Sequence, residues 1–452
     1  MSTRTAFLFP GQGSYVPGLV GELRHEHARA RGVLEAVDAA CGDAGHEPVS
    51  HLLTDAAAPG ADELMSQRPG DLDLAMFAAN LVCFEMLTAR GVRADVLAGH
   101  SFGELSALTA AGAVSTEDAT RMVCMRVQAI REAPPADGGM LAVALDARRA
   151  AHLVGVLDDP EVALAVDNGP EQCVVSGPDA ALARAEQLAK AADASPVRLR
   201  AAMPFHNAIL RRTNSVLSEM TTDIALSAPS LPVYSAILGR YVESASDIRS
   251  LIDIHLTRPV MFYDCLLRLH SDGVRTFVES GGHDTLSRLV KACLPGGPTT
   301  VAPFVSRLSP GELAQLLAPL TGDEPGSAGA EDAPAPAHGP APVADEGEPT
   351  APSDTPQEAA HAEGGTDGDV IGEVRSIYAD FLDLPEEMLD EEIDLEADLG
   401  VDSIKQIEVF DLARRKLHRK RPPEDLRTTS YTTLPKIAAL IEDLDPDEEA
   451  AS

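Results

Sequence analysis

In the first 322 residues, short apolar runs alternate with longer stretches in which apolar positions recur at helical spacing. The runs Ala6–Phe9, Val96–Ala98, Ala163–Val166, Cys173–Ser176 and Thr276–Glu279 read as buried strands. Strands that alternate with helical patterns predict an α/β architecture. From about Gly138 to Leu199 the order strand, helix, strand, helix predicts a smaller inserted α+β subdomain, spanning about 134–202. Beyond residue 368 the pattern becomes purely helical. Val370, Val374, Ile377, Tyr378, Phe381 and Leu382 share one helix face, and Ile404, Ile407, Phe410, Leu412 and Leu417 share another. A third helix covers Leu434 to Leu444, so residues 369–446 predict a small helical bundle. No internal repeat is evident.

Charge divides the chain further. The 452 residues carry a formal net charge of −35. Residues 1–322 hold 37 acidic against 26 basic side chains, and residues 323–452 hold 34 against 10. Between the two patterned parts, residues 323–368 contain no Lys, no Arg and no aromatic residue, only an Ala/Pro/Gly-rich acidic composition. Such a segment buries too little apolar area to offset its ordering entropy, which predicts a disordered linker. So acidic a chain does not suit a nucleic-acid backbone, where Lys and Arg must displace counterions. The cysteines Cys41, Cys83, Cys124, Cys173, Cys265 and Cys293 have no CxxC spacing, so neither a disulfide framework nor a metal site is expected. The N-terminal apolar run is too short for a signal peptide, and no stretch is expected to span a membrane. A cytoplasmic location is expected.

The sharpest chemical signal is Gly99-His100-Ser101-Phe102-Gly103, between the run Ala94–Ala98 and the helical stretch Glu104–Leu108. A strand–turn–helix context is what a nucleophile elbow needs. The glycines permit the tight turn, and the helix N-terminus offers N–H groups to a developing oxyanion. A nucleophilic Ser needs a base. His206, in Met203-Pro204-Phe205-His206-Asn207, is one candidate, alongside His100, His255, His270 and His283. Pro10-Gly11-Gln12-Gly13-Ser14 follows the first strand, where Gln12 either aims an amide at the oxyanion or simply forms a turn.

Taken in order, Phe9-Pro10-Gly11-Gln12-Gly13-Ser14, Gly99-His100-Ser101-Phe102-Gly103-Glu104, Met125-Arg126 and Pro204-Phe205-His206 resemble the motif set of the malonyl-CoA:acyl-carrier-protein transacylases. That family includes the acyltransferase domains of polyketide and polyunsaturated-fatty-acid synthases. The resemblance implies an α/β-hydrolase-like catalytic core with an inserted small ferredoxin-like subdomain, over residues 1–322. It implies Ser101 as nucleophile, His206 as base, and an oxyanion hole of Gln12 and the Phe102 N–H. Arg126 would grip the substrate's free carboxylate, as a planar guanidinium can do bidentately. Asn168 matches a position near the acyl pocket. Phe102 and Phe205 resemble malonyl-selective members and would crowd an α-methyl group. The chain departs from the pattern at Tyr15 and His255, where Gln is usual, and at Gly281-Gly282-His283-Asp284.

Leu395-Glu396-Ala397-Asp398-Leu399-Gly400-Val401-Asp402-Ser403-Ile404 resembles the acyl carrier protein signature. This implies Ser403 as the attachment site of 4′-phosphopantetheine. A phosphodiester is favoured at a helix N-terminus. The basic run Arg414, Arg415, Lys416, Arg419, Lys420 and Arg421 is either a solvated face or a docking patch. Together these readings give an acyltransferase–carrier didomain that loads malonyl from CoA onto its own or a partner's phosphopantetheine arm. Implied partners are malonyl-CoA, a phosphopantetheinyl transferase, and a ketosynthase or other synthase components in trans. A hydrolase of the same fold, or a carrier and scaffold protein with a docking-only acyltransferase half, are the alternatives.

Overall fold

The computed structural model describes residues 4–321, apart from 22, 24–26, 136, 202 and 306. In the C-terminal part it describes 370–382, 389, 395, 401, 403–417, 419–420, 422, 431 and 433–445. The expected linker 323–368 and most of the motif before Ser403 lie outside the described residues. Two compact units divide the chain, Met1–Asp323 and Glu324–Ser452.

The first unit contains two sheets. Its strands are β1 (Arg4–Phe9), β2 (Val96–Gly99), β3 (Gly138–Val143), β4 (Ala163–Gly169), β5 (Gln172–Pro178), β6 (Val197–Leu199), β7 (Val233–Ser235), β8 (Arg240–Val242), β9 (Val260–Met261), β10 (Val274–Glu279) and β11 (Thr299–Val301). The larger sheet has the order β11-β10-β1-β2-β7-β8, parallel throughout except for the β7–β8 pair. Its central strands are buried on both faces, which is why β1 and β2 read as continuous apolar runs rather than alternating ones. Phe7, Phe9, Phe77 and Phe277 are fully enclosed in this core.

The smaller sheet has the order β6-β3-β5-β4-β9. Its strands β3 to β6 follow the sequence β-α-β-β-α-β, with helices Ala147–Leu157 and Asp179–Ala191. That connectivity is the ferredoxin-like one that the resemblance implies; the simpler order strand, helix, strand, helix does not separate β4 from β5 and lacks β6. β6 has only three residues, all half-buried, so its apolar signal is weak. The edge strand β9 arrives from elsewhere in the chain, parallel to β4, and its Met261 N–H donates to Ala236 O at 3.1 Å. This strand joins the small sheet to the end of β7.

Two expectations need correction. Helix Pro69–Ala89 is 21 residues long and apolar enough to cross a membrane by length and composition, contrary to the reading that no stretch was. Its most apolar 18-residue window is 83% buried inside the protein, and the helix carries the buried polar residues Asp73 and Asn80. A helix apolar on all sides is a core helix when protein covers every side.

The second correction concerns the carrier unit. Helices Val370–Leu382, Ser403–Lys416 and Leu434–Asp443 enclose Val374, Tyr378, Val409, Phe410, Ile437 and Ile441, but Phe381 is exposed. Nor is the basic run a uniform solvated face. Arg414 is buried against Asp411, and Arg419 donates to Leu444 O at 3.0 Å.

Glu104, in the helix Gly103–Ala110, ties that helix to the end of β7. Its carboxylate accepts from Ser235 Oγ at 2.6 Å and from the Ile237 N–H at 3.0 Å. Burial pushes its pKa from 4.5 up to about 7. The folded chain therefore binds the proton more tightly than the unfolded chain does, and stability falls as pH rises from 4.5 through about 7. Glu104→Gln should remove this loss. Relative to the parent, the variant should gain about 3 kcal/mol between about pH 5 and pH 8, read from denaturant midpoints across that range.

Candidate active site

The site is built around one backbone crossing. β2 ends at Gly99, the chain turns through His100-Ser101-Phe102, and the helix Gly103–Ala110 begins at once. A Cβ on Gly99 would lie 2.2 Å from Glu104 N, and one on Gly103 would lie 2.0 Å from Phe9 O. Only glycine fits at either place. Ser101 between them adopts φ 53°, a left-handed conformation that costs a non-glycine residue about 1–3 kcal/mol. This is the geometry of a nucleophile elbow.

His206 approaches from the segment after β6. Its Nε2 lies 2.6 Å from Ser101 Oγ, and its Nδ1 lies 2.9 Å from Arg258 O. A carbonyl can only accept, so Nδ1 carries the proton and Nε2 presents its lone pair to the serine hydroxyl. Of the five candidate histidines, the structure brings His206, His100 and His255 to the elbow. The neighbouring Asn207 anchors this segment to the small sheet, donating to Glu161 O at 2.9 Å and to Ser176 O at 3.0 Å. Burial, then the neighbouring His255, lowers the His206 pKa to about 3. His255 is held to about 4 by burial and by the Arg126 charge. It donates from Nε2 to the Ser101 carbonyl at 3.2 Å, so this departure from the family pattern supports the elbow itself.

Gln12 lies on the turn after β1. A Cβ on the preceding Gly11 would lie 2.9 Å from His100 O, which brings this turn against the elbow. The Gln12 side chain does not aim an amide at the serine; its Nε2 donates to Asp73 Oδ1 at 3.2 Å. The backbone N–H groups of Gln12 and Phe102 have no acceptor among the described residues. Asn168 does not touch Ser101 either. Its Oδ1 accepts from His100 Nε2 at 2.8 Å, holding that ring against Phe262.

Arg126, on the helix Thr116–Glu132, is 7% exposed. Its guanidinium lies 5.2 Å from the Phe102 ring centroid and 5.0 Å from that of Phe205. Both rings expected to crowd an α-substituent therefore also cover the arginine. Arg126 Nη1 donates to Asp73 Oδ2 at 2.5 Å. Asp73, Asn207 and the Arg258 carbonyl did not emerge from the sequence. The signal for Asp73 is one charge inside the apolar run Leu72-Asp73-Leu74-Ala75. Behind Phe102 and Arg126 lies an apolar pocket lined by Leu105, Leu108, Met122, Leu217 and Ile252. In the second unit, Ser403 is the first residue of its helix, and Gln406 Nε2 closes the preceding turn on Val401 O at 2.9 Å.

A serine on a strained elbow, paired with a buried histidine beside free N–H groups, is the arrangement of the serine acyl-transfer and hydrolase class. Comparison narrows this. Residues 6–322 match the acyl transferase domain, and residues 372–441 match the phosphopantetheine attachment site. The chain is 31% identical over 294 residues to the malonyl CoA-acyl carrier protein transacylase of Bacillus subtilis, covering 64% of this chain and 90% of that protein. It is 30% identical over 309 residues to polyketide synthase GfsA of Streptomyces halstedii, covering 68% of this chain but only 4% of that one. The structure resembles the crystal structure of the acyltransferase domain from the second module of the salinomycin polyketide synthase. That match has a TM-score of 0.62 at 30% identity, over 70% of this chain and 73% of that one. The chain belongs to the acyl transferase domain family and carries a phosphopantetheine-attachment domain after it.

The strain at Ser101 gives a prediction. Ser101→Gly should raise stability by about 1 kcal/mol, because glycine adopts φ 53° freely, while removing the hydroxyl that His206 faces. Equilibrium denaturation of the two proteins measures the difference; a less stable variant would refute the strain.

Proposed function

We propose that this protein transfers a malonyl-type acyl group from coenzyme A to a carrier-bound thiol by a two-step exchange on Ser101. The observation that carries this reading is the 2.6 Å contact between Ser101 Oγ and His206 Nε2, with Nδ1 committed to a backbone carbonyl. His206 takes the serine proton as Oγ attacks the thioester carbonyl. The N–H groups of Gln12 and Phe102 receive the oxyanion, and His206 returns the proton to the departing thiolate. The same groups serve the second half in reverse. Arg126 offers a guanidinium to the free carboxylate of the acyl group. The role given to Gln12 differs from the sequence expectation, since its side-chain amide is already bound to Asp73 and only its backbone N–H is free.

The second domain supplies the acceptor. Ser403 opens the helix Ser403–Lys416, where first-turn N–H groups, which have no acceptor within the helix, and the helix dipole suit a phosphodiester. A phosphopantetheine arm attached there supplies the thiol that accepts the acyl group. The malonyl transacylase of Bacillus subtilis, similar over 90% of its own length, supports malonyl as the acyl group. The synthase partners that would use the product are a ketosynthase or related components in trans, and a phosphopantetheinyl transferase would install the arm.

Intact-mass measurement after incubation with malonyl-CoA tests this. A malonyl adduct should form on the wild type, and Ser101→Ala should lower its rate of formation by more than about a thousandfold. Free malonate released without an adduct would indicate a hydrolase, and no reaction would indicate a docking protein. The pH profile offers a second test. His206 must be neutral to accept a proton, and its pKa lies at about 3 rather than 6.5. Adduct formation should therefore lack an acid limb near pH 6.5 and persist to about pH 4.

A further inference from the structure

The acyl site already holds a carboxylate of the chain's own. Asp73 is 6% exposed, and each of its oxygens is bound by a donor that flanks the elbow. Oδ2 accepts from Arg126 Nη1 at 2.5 Å, and Oδ1 accepts from Gln12 Nε2 at 3.2 Å. Arg126 is thus partly spoken for before any substrate arrives. Its Nε is buried with no acceptor, which leaves one edge of the guanidinium unsatisfied. An incoming carboxylate that binds Arg126 must share a single guanidinium with Asp73. Two carboxylates on one buried cation leave a net negative charge where water cannot screen it, and such a charge is costly. An acyl group with a neutral end meets no such repulsion.

We infer that Asp73 determines acyl-group selectivity: its carboxylate competes with that of a malonyl group for Arg126 and Gln12, holding the preference for malonyl over short neutral acyl groups below what Arg126 alone would confer. The inference rests on the acyltransferase reading of Ser101 and Arg126. It makes neutral acyl-CoA thioesters of acetyl size real competitors at this site.

The test is a competition between equal concentrations of malonyl-CoA and acetyl-CoA, with the full chain quenched early and the two adducts on Ser101 counted by intact mass. Asp73→Asn should raise the malonyl-to-acetyl ratio by about tenfold, the size expected for removing one close like charge from a buried site. Adding Arg126→Ala should abolish that rise, which general loosening of the fold would not do. A ratio that stays level or falls in Asp73→Asn overturns the inference; a fall would mean that Asp73 serves to orient Arg126. Asp73→Gln provides a second uncharged variant should Asp73→Asn fail to fold. If neither thioester acylates the wild type, the acyltransferase reading is what fails. Titration of free malonate into the Ser101→Ala protein, with and without Asp73→Asn, then decides the inference alone: tighter binding without the Asp73 charge supports it, and equal or weaker binding rejects it.

Discussion

Everything at this site depends on how closely three backbone segments approach one another. Gly103 sits against Phe9 O, Gly99 against the first turn of the following helix, and Gly11 against His100 O. No side chain fits at these contacts. They pull the turn after β1 onto the turn after β2, so that Gly11 lies against His100 O and the Phe102 N–H. The parallel pairing of β1 with β2, in the register Phe9 to Gly99, ends both strands at the same level and makes the approach possible. The positive φ of Ser101 follows from that geometry. The elbow is thus a consequence of sheet register and three missing Cβ atoms, stabilised by the 0%-exposed core on which β1 and β2 lie.

A second constraint is electrostatic. Arg126 is a buried cation, and burial of a cation is tolerable only with a partner. Asp73 supplies the counter-charge, and the faces of Phe102 and Phe205 cover the guanidinium. The Arg126 charge in turn disfavours protonation of His206 and His255. Burial does most to keep both imidazoles neutral, and the guanidinium adds to it.

The parts of this arrangement legible in the sequence are those that involve neighbours along the chain. Buried parallel strands read directly as apolar runs, and the Gly-x-Ser-x-Gly context placed Ser101 at a strand end. The short strands β7, β8, β9 and β11 left no such trace, because two or three residues cannot display a period. Selection of His206 among five histidines depended on the resemblance to a family, since its position is fixed by Asn207 and the Arg258 carbonyl, 52 residues away. Asp73 was illegible for a related reason. A charge in an apolar run shows that a partner must exist, but not which one, and here the partner lies 53 residues on. The role of Gln12 was half legible: its place beside the elbow followed from the glycines, but the destination of its amide depended on Asp73.

The small sheet has a part in the chemistry that its distance in sequence from Ser101 conceals. Ser101 follows a strand of the large sheet, whereas His206 is positioned by the small one. Asn207 ties His206 to Glu161 O, just before β4, and to Ser176 O in β5. Arg258, which orients the imidazole, lies two residues before β9, the strand shared between β4 and the end of β7. The 2.6 Å Ser101–His206 contact therefore depends on how the two sheets are placed relative to each other. β9 is only two residues long, yet it is hydrogen-bonded on both sides, to β4 and to Ala236. A rigid join is what a proton-transfer pair requires, because misplacement by about 1 Å is enough to cost catalysis a hundredfold. The insertion of a ferredoxin-like unit into this core is thus the means by which His206 is brought to Ser101.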